Sequence, residues 1–211
     1  MRIAIVGAGN VGKALSAAAV AAGHDVAVSA STRENAEEAA AAAGARAAAN
    51  NADAVNGAEI VVFALPHAAV AEVANELGPA LADKVVVDAS NPINTTFTDL
   101  VTVGTSSAED LQRQLPDASV IKAFNTTFAS RHGNPTEGDE PLDAFIAGDD
   151  ADAKAKVGEL ATSLGYRVID AGSLRMARSL EEMAFLNITL NATNGWAWQS
   201  GWKLVGPTGE Q

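Results

Sequence analysis

The 211-residue sequence has no cysteine, which excludes disulfides, thiolate metal centres and cysteine nucleophiles and leaves the compartment unconstrained by redox state. Basic residues are scarce: 14 Lys and Arg stand against 26 Asp and Glu, a formal net charge of −12. Such a field repels phosphate-rich polymers, so nucleic acid is not an expected partner. No apolar run reaches the roughly 18 residues that cross a bilayer. Met1–Val6 runs straight into a glycine-rich turn, with no room for a basic region, apolar stretch and cleavage site. A cytoplasmic protein with no membrane partner is therefore expected. Histidine is limited to three positions, His24, His67 and His132, and neither H-E-x-x-H nor a carboxylate cluster at ligand spacing occurs, so no metal site is expected. Asp149, Asp150 and Asp152 read as the acidic start of a helix. A G-x-S-x-G elbow is also missing.

What the chain does have is 48% hydrophobic residues, enough for one substantial core. Short apolar runs, Arg2–Val6, Asp25–Ser29, Ile60–Leu65, Lys84–Asp88, Ser119–Ala123, Leu142–Ala147 and Tyr166–Asp170, read as strands. Alanine-rich stretches of helical length lie between most of them: Val11–Ala22, Arg33–Ala43, His67–Leu77 and Asp150–Leu164, each stopped by a glycine (Gly23, Gly44, Gly78, Gly165). This alternation predicts an α/β fold, a doubly wound and mostly parallel sheet of the Rossmann kind. Asn91–Gly104 and Ser130–Pro141 are polar and rich in turn residues, and they read as loops at the ligand-binding edge. Leu174–Leu204 reads as a long, mostly helical segment broken or bent at Gly195 and Gly201, with Pro207 in an irregular tail.

The sequence Gly7-Ala8-Gly9-Asn10-Val11-Gly12 matches G-x-G-x-x-G, and it follows an apolar strand and opens a helix. In that context Gly7 permits the tight turn, Gly9 lets backbone approach a pyrophosphate, and Gly12 lets helix and strand pack closely. A dinucleotide site follows. The second strand ends in Ser29-Ala30-Ser31-Thr32-Arg33 in place of the acidic residue that grips the ribose hydroxyls of NAD. Hydroxyls and a guanidinium suit a 2′-phosphate, which favours NADP. Ser31 and Thr32 can equally cap the helix that starts near Arg33. Ala64-Leu65-Pro66-His67 and Asn91-Pro92-Ile93 leave core strands at the same edge and are expected to form floor and wall near the nicotinamide. His24 reads as structural, His67 as a helix start, and His132, beside Arg131, as solvated or anion-binding.

The inventory of acids and bases at this edge is thin. Lys122, in Ile121-Lys122-Ala123-Phe124-Asn125-Thr126, is the one donor following a core strand, and it can equally be a surface cation. A hydride passes between two stacked redox rings without a side-chain acid or base, so positioning is all the protein must supply. No catalytic side chain is therefore assigned.

These pieces, Gly7–Gly12, Ser29–Arg33, Leu65-Pro66, Asn91-Pro92, Lys122–Thr126, Ala147–Asp150, and Asp170–Leu174 with Leu180-Glu181, together resemble the deazaflavin-dependent NADP reductases, the coenzyme F-420:NADP oxidoreductase family. The resemblance implies a Rossmann domain over residues 1–172 and a C-terminal extension over 173–211 that covers the deazaflavin pocket. It implies NADP and coenzyme F-420 as cofactors and small redox molecules as partners. It further implies that Ala8, Gly9, Asn10 and Val11 bind pyrophosphate, that Ser31 and Arg33 bind the 2′-phosphate, and that Leu65 and Pro66 lie against the nicotinamide. Asn91, Pro92, Lys122 and Asn125 would then stand near the meeting point of the rings. The C-terminal helix and the apolar surface left by a small domain make a homodimer an expectation as well. The other readings are a reductase of another small acceptor (flavin, ferric chelate or imine) and a non-catalytic NADP sensor.

Overall fold

The computed structural model describes residues 1–206; Pro207 lies outside the described residues. In chain order the elements are β1 (Arg2–Val6), α1 (Asn10–Ala21), β2 (Asp25–Ser29), α2 (Arg33–Ala43), β3 (Arg46–Ala47), α3 (Asn51–Val55), β4 (Ile60–Phe63) and α4 (His67–Leu77). A 3-10 turn (Gly78–Leu81) leads to β5 (Val85–Asp88), α5 (Ser107–Gln114), β6 (Ser119–Lys122) and α6 (Ala129–His132). Then come β7 (Thr136–Glu137), β8 (Glu140–Pro141), β9 (Asp143–Gly148), α7 (Ala151–Ser163), β10 (Arg167–Gly172), a second 3-10 turn (Leu174–Met176) and α8 (Ala177–Asn194).

Eight strands form one sheet in the order β10-β9-β6-β5-β4-β1-β2-β3, and β7 pairs with β8 as a separate hairpin. The order reverses between β1 and β4, the switch point at which doubly wound sheets bind ligands. Every pairing in the large sheet is parallel except β6 with β9, so β9 and β10 run against the rest. Both faces are covered. Ile3, Ile5, Val28, Val62, Val87 and Ile121 point to a layer containing α1, α2 and α7, while Ala4, Val6, Val61, Phe63, Val86 and Val120 point to the layer of α3, α4 and α5. A strand buried on both faces reads as a continuous apolar run, which is why these strands are plain in the sequence.

Most elements fall within two residues of their expected limits. The segment Ser130–Pro141, expected to be a loop, instead contains most of α6 and the β7–β8 hairpin. The expected helical run to Leu204 stops at Asn194; Gly195 caps α8 in the left-handed region, and residues 196–206 continue without helix. Among the described residues no helix is long and apolar enough to cross a membrane, and no group of three or more acidic or histidine side chains could hold a metal ion.

His132, read from sequence as solvated or anion-binding, is fully buried. Its Nδ1 lies 2.7 Å from the Tyr166 hydroxyl, and its ring meets Phe124 edge-on at 6.1 Å. Burial lowers the imidazole pKa to about 4, so the folded protein keeps this histidine neutral while the unfolded chain takes up a proton below about 6.5. The stability tied to this depressed pKa is present above pH 6.5 and is lost as pH falls towards 4, on the order of 3 kcal/mol in all. Urea midpoints measured from pH 7.5 to 4.5 should fall more steeply for the wild type than for His132→Gln; parallel curves would contradict this assignment.

Candidate nucleotide and acceptor cleft

The strand register lines up the site. Ser29, Val6, Phe63, Asp88 and Lys122 form one row across five adjacent strands, so the residues that follow each of them emerge together at one edge. Gly7 has φ +113°, and a Cβ there would lie 2.3 Å from the Ala64 carbonyl oxygen. A Cβ on Gly12 would lie 1.9 Å from the Gly7 carbonyl oxygen. Both positions therefore exclude any side chain, and the turn can form only with glycine. A Cβ on Gly9 would meet nothing within 4 Å, which leaves an open approach to the start of α1. Gly9 caps α1 without a side-chain hydrogen bond, and the first turn carries no acidic residue. The free N–H groups and the positive end of the helix dipole suit a pyrophosphate. On these grounds the residues present fit a dinucleotide.

Ser31 and Arg33 follow β2 at the same edge and are exposed. Thr32 caps α2, its side chain accepting from the Asn35 N–H at 3.2 Å. Arg33 pairs with Glu37 at 2.7 Å, with 78% of its side chain exposed; an ion pair this exposed is weak and easily exchanged for a stronger anion. Leu65 packs beside Gly7. Pro66 is exposed and caps α4, and Pro92 is buried beneath the loop that follows β5. His67 Nδ1 lies 3.1 Å from Ser107 Oγ, and burial, despite the attraction of Asp88, lowers its pKa.

A cleft of about 250 Å³ opens beside the glycine turn. Asn10 and Val11 form one side, Ala89, Asn91 and Phe124–Ala129 the floor and far wall, and Ala184, Asn187 and Ile188 of α8 the roof. Its polar lining is all amide and hydroxyl, with no titratable side chain among the residues named. Phe124 sits at φ +63°, a conformation that costs a non-glycine residue on the order of 1–3 kcal/mol and tends to persist at functional sites. Asn125 Nδ2 donates to Asn91 Oδ1 at 2.9 Å and to the Leu180 carbonyl at 3.0 Å, while Asn91 Nδ2 donates back to the Asn125 carbonyl at 3.0 Å. Asn125 Oδ1 is buried without a hydrogen-bond partner among the described residues.

Lys122 requires a correction. Expected either near the meeting point of the rings or on the surface, it is 0% exposed and so is not the surface cation, and it stands behind the cleft lining. Its Nζ donates to Asp88 Oδ2 at 2.9 Å, Glu181 Oε1 at 2.8 Å and the Ser90 carbonyl at 2.7 Å. All three ammonium hydrogens are thus committed. Burial disfavours the charged ammonium, but the two carboxylates outweigh it and its pKa is raised. Burial pushes the Glu181 carboxyl up to about 7, against the pull of Lys122. Glu181 Oε1 also accepts from the Ser107 N–H at 2.9 Å, so α8, α5, β5 and β6 meet at one ammonium group. Sequence reasoning missed this role for Asp88 and Glu181. A lysine inside an otherwise apolar strand was the available signal, because a buried ammonium must find a carboxylate.

The sequence profile of the family described as NADP oxidoreductase, coenzyme F420-dependent, matches residues 2–92. The F420-dependent NADP reductase of Methanothermobacter marburgensis is 32% identical over 92% of this chain and 94% of its own length. The chain belongs to this family. Membership makes it an NADP-dependent oxidoreductase by family, with NADP and coenzyme F420 as the family's cofactors. A solved structure of a candidate F420-dependent NADP reductase from Arthrobacter sp. FB24 superposes with a TM-score of 0.82 at 33% identity, covering 93% of this chain and 96% of the other. Metalloreductase STEAP3 of Rattus norvegicus is 29% identical over 85% of this chain, which spans only 36% of that protein's length.

Removing the ammonium while leaving both carboxylates buried should be costly. Lys122→Met is expected to lose about 3–5 kcal/mol of stability, read as a fall in thermal midpoint, and the triple variant Asp88→Asn, Lys122→Met, Glu181→Gln should recover part of it. A single variant as stable as wild type would contradict a charged Lys122.

Proposed function

We propose that the protein transfers hydride between NADP(H) and the 5-deazaflavin coenzyme F420 in the cleft between the glycine turn and α8, by juxtaposing the two rings and without a side-chain acid or base. The observation that carries this reading is the cleft lining: amides, hydroxyls and apolar groups beside a dinucleotide turn, with no ionisable side chain among them. Carbonyl reduction would call for a Lys, His or Tyr donor at that position. When bound, the two cofactors supply the hydride chemistry; the chain binds, orients and excludes water.

In this reading Gly7, Ala8, Gly9, Asn10, Val11 and Gly12 take the pyrophosphate, and Ser31 and Arg33 take the 2′-phosphate, with Thr32 holding the start of α2. Leu65, Pro66 and His67 bound the nicotinamide side, His67 standing outside the cleft lining with its Nδ1 3.1 Å from Ser107 Oγ, and Asn91, Pro92 and Asn125 bound the junction with the acceptor. Asn125 Oδ1 offers a fixed acceptor, because both N–H groups of its amide are already used. Lys122 supports Asn125 through Glu181 and the adjacent Leu180 carbonyl and does not touch a ring. Of the extension expected over 173–211, the described part, 173–206, would cover the acceptor side, over a Rossmann unit spanning 1–172. Cytoplasmic location and a homodimer complete the proposal; the exposed Leu186 and the half-buried Met183 and Phe185 of α8 line an open groove suited to a second copy.

Absorbance at the deazaflavin band should bleach rapidly when protein, NADPH and oxidised coenzyme F420 are mixed, and slowly with NADH. NADPH binding without bleaching would overturn the acceptor. Arg33→Ala should weaken NADPH binding on the order of tenfold, the ~1.5 kcal/mol of one charged hydrogen bond, and leave NADH binding unchanged. Equal losses for both nucleotides would remove Arg33 from the 2′-phosphate site.

A further inference from the structure

The segment after α8 carries Trp196, Trp198 and Trp202, none of which lines the cleft. Its far end is tied to the edge of the sheet: the Asp143 N–H donates to the Trp202 carbonyl at 3.0 Å, the Leu204 N–H donates to Asp143 Oδ2 at 2.5 Å, and Lys203 Nζ donates to the Pro141 carbonyl at 2.7 Å. With both ends fixed, the chain between them bends at Trp198, which holds φ +58°. A bulky non-glycine residue in that region is strained by on the order of 1–3 kcal/mol and persists only where its surroundings over-determine it.

They do so from three sides. The Trp198 N–H donates to Asn191 Oδ1 at 3.1 Å. Its carbonyl accepts from Ser130 Oγ at 2.6 Å. Its ring meets Phe128 edge-on, with centroids 5.5 Å apart and planes at 81°. Phe128 is part of the cleft wall and the N-cap residue just before α6. Asn191 is itself bound to the cleft residue Asn187, Nδ2 donating to its carbonyl at 2.8 Å, and Ser200 Oγ donates to Asn187 Oδ1 at 2.6 Å. One indole therefore sits where the strap, α6 and the roof helix converge, 45% exposed and outside the core. Core burial does not account for a strained, half-exposed tryptophan. Contact with the wall does.

We propose that Trp198 is a positioning residue that fixes the Phe128 ring, and through it the acceptor-side wall of the cleft. The functional half of this inference rests on the hydride-transfer reading above; the Trp198–Phe128 link does not. Trp198 holds the ring in one orientation by edge-to-face packing, and its loss frees Phe128 to turn into or away from the cleft while leaving the glycine turn and Arg33 untouched.

The test compares wild type with Trp198→Phe and Trp198→Ala. In ligand-free protein, the ring resonances of Phe128, assigned with Phe128→Leu, are expected to shift in Trp198→Ala and to stay near their wild-type positions in Trp198→Phe. In turnover with NADPH and oxidised coenzyme F420, the KM for the coenzyme should rise on the order of tenfold in Trp198→Ala, within the range a displaced contact can cost. The KM for NADPH should not change, and Trp198→Phe should restore most of the loss. Unmoved Phe128 resonances, or equal rises in both KM values, overturn the proposal. A wild type that binds NADPH yet never bleaches the coenzyme removes the proposed acceptor alone, and the Phe128 resonances then still decide whether Trp198 positions the wall.

Discussion

One ammonium group, Lys122, sits fully buried between the carboxylates of Asp88 and Glu181, and the geometry of the cleft depends on it. Taking an ammonium and its two carboxyl partners out of water is expensive, and an apolar replacement of the whole set would often be no less stable. What the cluster supplies is a fixed relation between parts distant in sequence. Asp88 ends β5, Lys122 ends β6, and Glu181 lies in the first turns of α8. Because the bond length to Glu181 is set, the neighbouring Leu180 carbonyl meets the Asn125 amide, and Ala184 and Asn187, one and two turns on, come to roof the cleft.

The same cluster separates charge from chemistry. The carboxyl groups and the ammonium satisfy one another behind the wall, and the polar groups among the residues that line the cleft are amides and hydroxyls. A chain with a net charge of −12 thereby keeps this cleft uncharged, with the positive end of α1 opening at its side.

The order of strands and helices was legible because burial on both faces makes each strand a continuous apolar run, and the glycine turn was legible because its context is so specific. The two-residue strand β3 and the five-residue α3 are too short to carry a period. The hairpin in 134–141 is polar on both faces, so turn residues masked it. Lys122 could be read as interior or exterior, since its carboxylate partners lie 34 and 59 residues away. The tryptophan segment gave no pattern because it is held mainly through backbone atoms, Trp198 N–H and carbonyl and the Trp202 carbonyl, and such contacts leave no residue signature. Within the site, Asn10, Val11, Asn91 and Asn125 were named from sequence and share the cleft; Phe124, Phe128 and Asn187 were not, being ordinary core or helix residues until the fold brings them together.

The central claim is that this uncharged cleft brings two rings together and leaves the hydrogen to pass directly between them. The measurement that bears on it most directly uses NADPH carrying deuterium at the transferred position of the nicotinamide, mixed with oxidised coenzyme F420 in ordinary water. Direct transfer predicts that the reduced coenzyme retains the deuterium in full, read by mass spectrometry. Loss of the label to solvent would mean that an exchangeable group stands between donor and acceptor, and would contradict the account.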